Sequence, residues 1–313
     1  MAATCPWCQA PRAEGPNCPK CGANYAKAEQ IKAQGRAQAV KAAAEVLPVE
    51  PMAEPLGTPV LAGIDERAVE DPELEFKLCV AAIPGMMLIA LLFHFLLPGM
   101  QRIVFGMPVH ELGHAVSAWF TGFWAIPTLW KTIIPDERGM VAPVLLAAAI
   151  GWMMFSAWRA GKTYLVVRGV VLYALQGLGT FWLRQSTAIA IYTFGGDGLG
   201  MVLAAALMAS FFFGKRTQLY KGALRWGFLV IGAAAFTDMA ATWWRALFDR
   251  GAIPIGEIEG VGLSDAARLL GEHFWSEREL VRRYAAVGAG SLAGLAAVYA
   301  WGVLMAWKKA RGV

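Results

Sequence analysis

Residues 110–114 read His-Glu-Leu-Gly-His and lie within an apolar stretch of the sequence. On a helix, residues four positions apart share a face, so the imidazoles of His110 and His114 can bind one zinc ion. Glu111 would then lie beside the metal, where its carboxylate can take a proton from a water molecule. Ionisable residues are costly inside a membrane and usually have a function there. The motif predicts a catalytic zinc site with two histidine ligands and Glu111 as general base.

The run His-Glu-Leu-Gly-His-Ala at 110–115, inside an apolar helix, resembles the site-2 protease family of intramembrane zinc metalloproteases. The resemblance covers about residues 103–213 and is specific only at 110–115. It implies a zinc ion held by the two histidines and by one aspartate from a later membrane helix, with the motif glutamate as general base. It also implies that the substrates are membrane-anchored proteins, cut in or near their transmembrane segment.

Three aspartates are candidates for the third zinc ligand, because catalytic zinc usually has three protein ligands and one water. Asp197 is preferred, since Asp197-Gly198 matches the Asp-Gly pair of the family, although glycines replace the residues that usually precede it. The glycines around it would let backbone and water approach a metal. Asp265 echoes another family run, Leu-Asp-Gly-Gly-Arg, and is otherwise a helix N-cap. Asp238 would otherwise pair with an intramembrane cation such as Arg168.

Four cysteines near the N-terminus form two Cys-x-x-Cys pairs, Cys5 with Cys8 and Cys18 with Cys21. This spacing is typical of a structural zinc site, because four thiolates complete a tetrahedron and leave no open position for chemistry. Two disulfides in an oxidising compartment are the alternative. Residues 1–25 have no apolar stretch of the kind that signal peptides contain. We therefore expect a cytoplasmic zinc ribbon over 1–25, which offers a docking surface for a cytosolic protein partner.

The composition indicates a membrane protein. The chain is 57% hydrophobic and only 16% charged, whereas soluble proteins carry about 25% charged residues. Acidic residues outnumber basic ones over 1–78, so the net charge of +5 comes from the apolar remainder. Positive loops between apolar segments are typical of cytoplasmic membrane loops and argue against a nucleic-acid partner.

Seven segments have about the 20 apolar residues that a spanning helix needs. They are Leu78–Leu97, Ile103–Pro127, Met140–Trp158, Tyr164–Leu183, Thr187–Phe213, Leu224–Phe248 and Tyr284–Trp307. Basic residues over 215–225 and over 308–311 favour the cytoplasm, as the ribbon does. These preferences require an even number of crossings. We therefore expect six spans, with one segment among 103–183 re-entrant, tilted or short, and the loop 249–283 outside.

The predicted fold is an all-α polytopic membrane protein with about six spans and a small N-terminal zinc ribbon. The predicted domains are a ribbon at 1–25, a helical and acidic Pro-rich linker at 26–77, and a membrane-embedded metalloprotease domain at 78–313. The expected location is the lipid bilayer of the bacterial cytoplasmic membrane, with both termini in the cytoplasm. The expected cofactors are one catalytic and one structural zinc ion.

Two other functions stay open at this point. A catalytically silent membrane zinc protein could act as a partner-binding scaffold or adaptor, but a structural metal needs no adjacent base such as Glu111. A transporter could use the intramembrane polar residues Arg168, Gln176, Asp197 and Asp238. The two halves of the chain show no repeat of the kind that many transporters have.

Overall fold

The computed structural model describes residues 4–5, 8, 10–27, 29–30, 71–213, 223–258 and 262–312. The chain divides into two units, Met1–Gly57 and Thr58–Val313. Their boundary falls inside the predicted linker 26–77, most of which lies outside the described residues.

The N-terminal unit consists of two similar turns. Each turn is closed by an antiparallel β-bridge, the first over residues 4–11 and the second over residues 17–24. Cys5, Cys18 and Tyr25 form the buried cluster among the described residues of this unit. So small a cluster cannot stabilise a fold alone, and a bound metal would supply folding free energy. The arrangement is compatible with the predicted ribbon.

The second unit is mainly helical. Among the described residues, six helices are long and apolar enough to cross a membrane, which indicates a membrane protein. They are α1 (Pro72–Leu96), α4 (Val141–Arg159), α5 (Thr163–Gly177, continued by a π-helix Leu178–Trp182), α6 (Gln185–Ala209, continued by a 3₁₀ turn Ser210–Phe212), α7 (Leu224–Ala246) and α9 (Glu277–Ala310). The number agrees with the six spans predicted from the sequence.

The predicted segment 103–127 is not one of these six. After the short helix α2 (Pro98–Gln101), the segment consists of a π-helix (Arg102–Gly106) and α3 (Met107–Phe120). A two-stranded antiparallel hairpin follows, formed by β1 (Ile126–Pro127) and β2 (Thr132–Ile133). The helix ends at Phe120, shortly after the histidine motif, and the two strands lie beside α3.

The connection between α7 and α9 belongs to the described residues except at 259–261. It contains a 3₁₀ turn (Arg250–Ala252), the antiparallel strands β3 (Glu257–Ile258) and β4 (Gly262–Leu263), and the seven-residue helix α8 (Asp265–Gly271). Ala266 and Leu269 of α8 are buried. This burial docks the connection on the helix bundle.

One end of the helix bundle holds both the start of α1 and the end of α9. Glu75 in the first turn of α1 pairs with Arg225 at the start of α7, with 3.3 Å between Oε2 and Nη2. The hydroxyl of Tyr299 in α9 donates to the carbonyl of Val80 in α1 at 2.8 Å. We call this the terminal end. It fits the even number of crossings that the sequence predicts.

Helices α3 and α6 approach each other closely at glycines. A Cβ atom on Gly113 would collide with the carbonyl oxygens of Gly195 and Gly196 in α6. A Cβ atom on Gly196 would lie 2.5 Å from Cε1 of His110 and 2.6 Å from Nε2 of His114. The glycines in both motifs therefore make room for backbone contact and for the two imidazole rings.

Candidate metal centre

Three side chains converge beside α3: His110 and His114 from the helix itself, and Asp265 from the start of α8. Nε2 of His110 lies 3.1 Å from Nε2 of His114. One carboxylate oxygen of Asp265 lies 3.2 Å from the first of these nitrogens and 3.0 Å from the second. Among the described residues of the second unit, these three form the group that could hold a metal ion. Two imidazoles and one carboxylate are a ligand set that zinc accepts, with a fourth position open.

The connection between α7 and α9 delivers Asp265. The preceding residue, Ser264, caps α8 by accepting the N–H of Ala267 at 3.2 Å. The N–H of Ser264 donates to the carbonyl of Gly256 at 2.8 Å, which closes the β3–β4 hairpin. Because Ser264 serves as the cap, the Asp265 carboxylate is available to the histidines.

The outer ring nitrogens of both histidines have acceptors. Nδ1 of His114 lies 2.7 Å from the carbonyl oxygen of Tyr192. Nδ1 of His110 lies 2.7 Å from a carboxylate oxygen of Asp197. A carbonyl and a carboxylate only accept, so Nδ1 carries the proton in each ring. Both Nε2 lone pairs are then directed at the point where Asp265 meets them.

Asp197, the preferred third ligand from the sequence, does not lie on the Nε2 side of the rings. Its carboxylate contacts Nδ1 of His110 and accepts from the indole N–H of Trp243 at 2.7 Å and from Arg102 at 3.2 Å. The physical reason is the packing of α6, which puts Gly196 against the rings. Asp197, the next residue, therefore lies at the Nδ1 edge of the His110 ring and not at Nε2.

Asp238 contacts the same cation. Nη1 of Arg102 lies 3.0 Å from the carboxylate of Asp238, and His94 lies 4.0 Å from it. The expectation that Asp238 pairs with an intramembrane cation is met, but by Arg102 rather than by Arg168. No sequence signal marked Arg102 or Trp243, because their roles depend on neighbours far along the chain.

Glu111 is buried, with 4% of its surface exposed. The hydroxyl of Thr132 in β2 donates to Oε2 of Glu111 at 2.7 Å and lies 2.8 Å from its backbone oxygen. Thr132 of the β1–β2 hairpin thus holds the Glu111 carboxylate in place. Thr132 was not identified from the sequence.

These groups share one cavity of about 810 Å³, which we call the chamber. The metal group, Glu111 and Asp197 line it, together with residues 130–132 of the first hairpin and residues 263–268 at and after the second. Trp243 and Tyr284 also line it, and their rings stack with centroids 3.8 Å apart. Trp243 is near the end of α7 and Tyr284 near the start of α9, so the chamber lies at the end of the bundle opposite the terminal end.

The four cysteines of the N-terminal unit form a second candidate metal group. Their sulfurs all lie within 4.8 Å of one another. The Sγ–Sγ distances are 3.9 Å for Cys5 and Cys21 and 3.7 Å for Cys8 and Cys18. Thiolates bound tetrahedrally to zinc at about 2.3 Å lie about 3.8 Å apart, whereas disulfide sulfurs are about 2.05 Å apart. The backbone N–H groups of Cys21 and Lys20 lower the pKa of Cys18 to about 6, whereas Cys21, despite the N–H of Ala23, has its pKa raised to about 12 by burial and the neighbouring sulfurs. The first thiolate of the group is therefore Cys18.

We expect the full chain to bind about two zinc ions when both groups are filled. The double variant Cys18→Ser with Cys21→Ser should lose one of them and keep the other, as measured by elemental analysis of purified protein. Cys79→Ser changes the fifth cysteine, which lies in α1, and should keep both. An unchanged zinc count in the double variant would contradict the cysteine site.

Comparison of the chain with protein-family models, with curated proteins and with solved structures finds no match.

Proposed function

We propose that this chain is an intramembrane zinc metalloprotease, a zinc endopeptidase of the bacterial cytoplasmic membrane. It would hydrolyse peptide bonds of membrane-anchored proteins in or near their transmembrane segment. The observation that carries the proposal is the convergence of His110, His114 and Asp265 in a chamber that also contains Glu111. The test compares zinc content and substrate cleavage in the wild type and in Glu111→Gln.

The donor atoms suit a catalytic rather than a structural zinc. Three protein ligands are the usual number in catalytic sites and leave one position open, whereas structural sites use four. Both histidines present Nε2, since each Nδ1 donates elsewhere. Zinc bound there would supply Lewis acidity for hydrolysis. The third ligand in this proposal is Asp265, which replaces the Asp197 expected from the sequence.

Glu111 has the role of general base. It precedes Gly113 and His114 on the helix that carries the ligands, and its carboxylate faces the chamber. In the proposed reaction it takes a proton from the attacking water and passes it to the leaving amine. Thr132 holds the carboxylate by its Oε2 atom, which orients the base before substrate binds.

The chamber suits a peptide segment from a membrane-anchored protein. Its walls combine apolar rings such as Trp130 and Tyr284 with polar groups such as Arg268. Residues of both hairpins also line the chamber, so part of its wall lies outside the six apolar helices. A substrate helix must unwind there, because a helical peptide bond is hydrogen-bonded and shielded.

The scaffold or adaptor alternative makes a different prediction for the same residues. A metal that only supports structure needs no neighbouring base, and a buried carboxylate is costly without a purpose. Glu111 is buried beside the metal group, which favours the enzyme. A cytosolic partner of the cysteine unit remains part of the proposal and is compatible with either function.

We propose that both termini face the cytoplasm, since Lys308 and Lys309 lie in the last turn of α9 and Arg311 follows it, at the terminal end. Reporter fusions after residue 220 and after residue 313 should report the cytoplasm, and a fusion near residue 265 should report the exterior. Asp265 lines the chamber, so the chamber would then open on the non-cytoplasmic side. A fusion after residue 313 that reports the exterior would contradict this topology.

A further inference from the structure

We infer that Asp197 is a positioning residue for the metal centre, held in place by Arg102 and Trp243. It accepts the Nδ1–H of His110 and so keeps Nε2 of that ring directed at the metal. The inference rests on the proposed zinc site but concerns a residue outside its ligand set. It gives a function to a buried charge cluster that the proposed reaction does not otherwise use.

Both oxygens of Asp197 accept from neighbouring donors. Oδ1 lies 2.7 Å from Nδ1 of His110 and 3.2 Å from Nη1 of Arg102. Oδ2 accepts from Nε1 of Trp243 at 2.7 Å. Nδ1 and Nε2 lie on different edges of one imidazole ring, so a carboxylate fixed at Nδ1 cannot also reach a metal at Nε2. Asp197 therefore acts on the metal through the ring.

The two histidines of the centre have unequal partners. His114 donates to a neutral backbone carbonyl, that of Tyr192, whereas His110 donates to the charged carboxylate of Asp197. A carboxylate partner fixes the tautomer and orientation of a metal-binding imidazole and makes it a stronger ligand. We therefore expect His110 to bind zinc more strongly than His114. This extra strength should depend on the hydrogen bond to Asp197.

Arg102 compensates the buried negative charge of Asp197. Its guanidinium bridges Asp197 on α6 and Asp238 on α7 from the π-helical turn that precedes α3. Buried charges are expensive unless they are paired and hydrogen-bonded. The turn lies close to α7, since a Cβ atom on Gly106 would collide with the Asp238 carboxylate. Asp238 pairs with Arg102, and the hydrogen bond to His110 comes from Asp197.

A purely structural cluster is the competing explanation, and zinc affinity separates the two. The measurements use the full chain in detergent, with the four N-terminal cysteines changed to serine so that the chamber binds the only zinc counted. Zinc dissociation constants come from competition with a chelator, and the absorption spectrum of the cobalt-substituted protein reports the number of ligands. Neither readout depends on a substrate.

Asp197→Asn is expected to weaken zinc binding about 10–100-fold, the usual effect of losing a hydrogen-bonded partner behind a metal ligand. The cobalt spectrum should keep its coordination number, because no ligand is lost. Asp238→Asn is the matched control, since it also removes one carboxylate from Arg102 but does not touch His110. It should bind zinc as the parent does. Trp243→Phe removes one donor to Asp197 and should weaken zinc binding less than Asp197→Asn.

Each other outcome overturns the inference in a different way. Parent-like zinc binding in Asp197→Asn would make the cluster structural and leave the proposed zinc site intact. If Asp238→Asn weakened zinc binding as much as Asp197→Asn does, the cause would be the altered charge around Arg102. The hydrogen bond between Asp197 and His110 would then not be responsible. A changed cobalt coordination number in Asp197→Asn would make Asp197 a ligand. Absence of zinc from the parent itself would remove the proposed function together with the inference.

Discussion

Replacing Glu111 by glutamine is expected to leave zinc in the chamber and to reduce proteolysis by about 10²–10⁴-fold, the contribution typical of general acid–base catalysis. Glutamine has nearly the shape of glutamate but cannot accept the proton of the attacking water. Its amide can still bond to Thr132, which contacts the Glu111 carboxylate at 2.7 Å. The fold of the site should therefore survive, and only the proton transfer is lost.

The measurement is cleavage of a tagged single-span membrane protein that the wild type cuts after reconstitution, with zinc content determined on the same samples. Glu272→Gln is a matched control, because Glu272 also lines the chamber but pairs with Arg268 on the helix that carries Asp265. It should keep both zinc and cleavage. Full cleavage by Glu111→Gln would sink the protease mechanism, and the scaffold alternative would then be preferred.

Asp265→Asn is expected to remove most of the chamber zinc, a larger loss than the roughly 10–100-fold that follows from changing a partner behind a ligand. Asparagine keeps the size of the side chain but lacks the negative charge that zinc ligation uses. A site left with His110 and His114 has two ligands, fewer than catalytic zinc sites use. His114→Ala should have an effect of similar size for the same reason.

The fold should tolerate this change, because Ser264 and not Asp265 caps α8, and 24% of the Asp265 side chain is exposed. Zinc is measured by mass spectrometry in the background without the four N-terminal cysteines. Asp249→Asn changes another aspartate of the same connection, one that bonds to the N–H of Gly251, and should keep the zinc. Zinc retained by Asp265→Asn but lost by Asp197→Asn would restore the ligand that the sequence favoured.

Patterns over short stretches of sequence were enough for several features. The spacing of His110, Glu111 and His114 placed these residues on one helix, because helical periodicity depends only on neighbours along the chain. The spacing of the four cysteines predicted a group whose sulfurs lie within reach of one metal ion. Length and hydropathy gave seven candidate spans, which the charge pattern reduced to six, and six helices long and apolar enough to cross a membrane are found among the described residues.

Residues 103–127 were one of seven candidate spans and are not among the six helices that are long and apolar enough to cross a membrane. The helix that carries the histidine motif is nevertheless continuous from Pro98 to Phe120 through a π-helical turn. That one segment among 103–183 does not cross the membrane stays a prediction. The β1–β2 hairpin leaves little trace in hydropathy, so its place beside α3 was found only in the folded chain.

The tertiary structure decided which aspartate joins the two histidines in the candidate metal group. From the sequence, Asp197 had an apolar helix and an Asp-Gly pair in its favour, and Asp265 was an alternative ligand that also looked like a helix cap. Which edge of the His110 ring Asp197 meets depends on how α3 and α6 pack at Gly113 and Gly196. Asp265 reaches both histidines because a connection far along the chain folds back over the bundle. Such contacts join residues with large sequence separation, and a local sequence pattern carries no information about them.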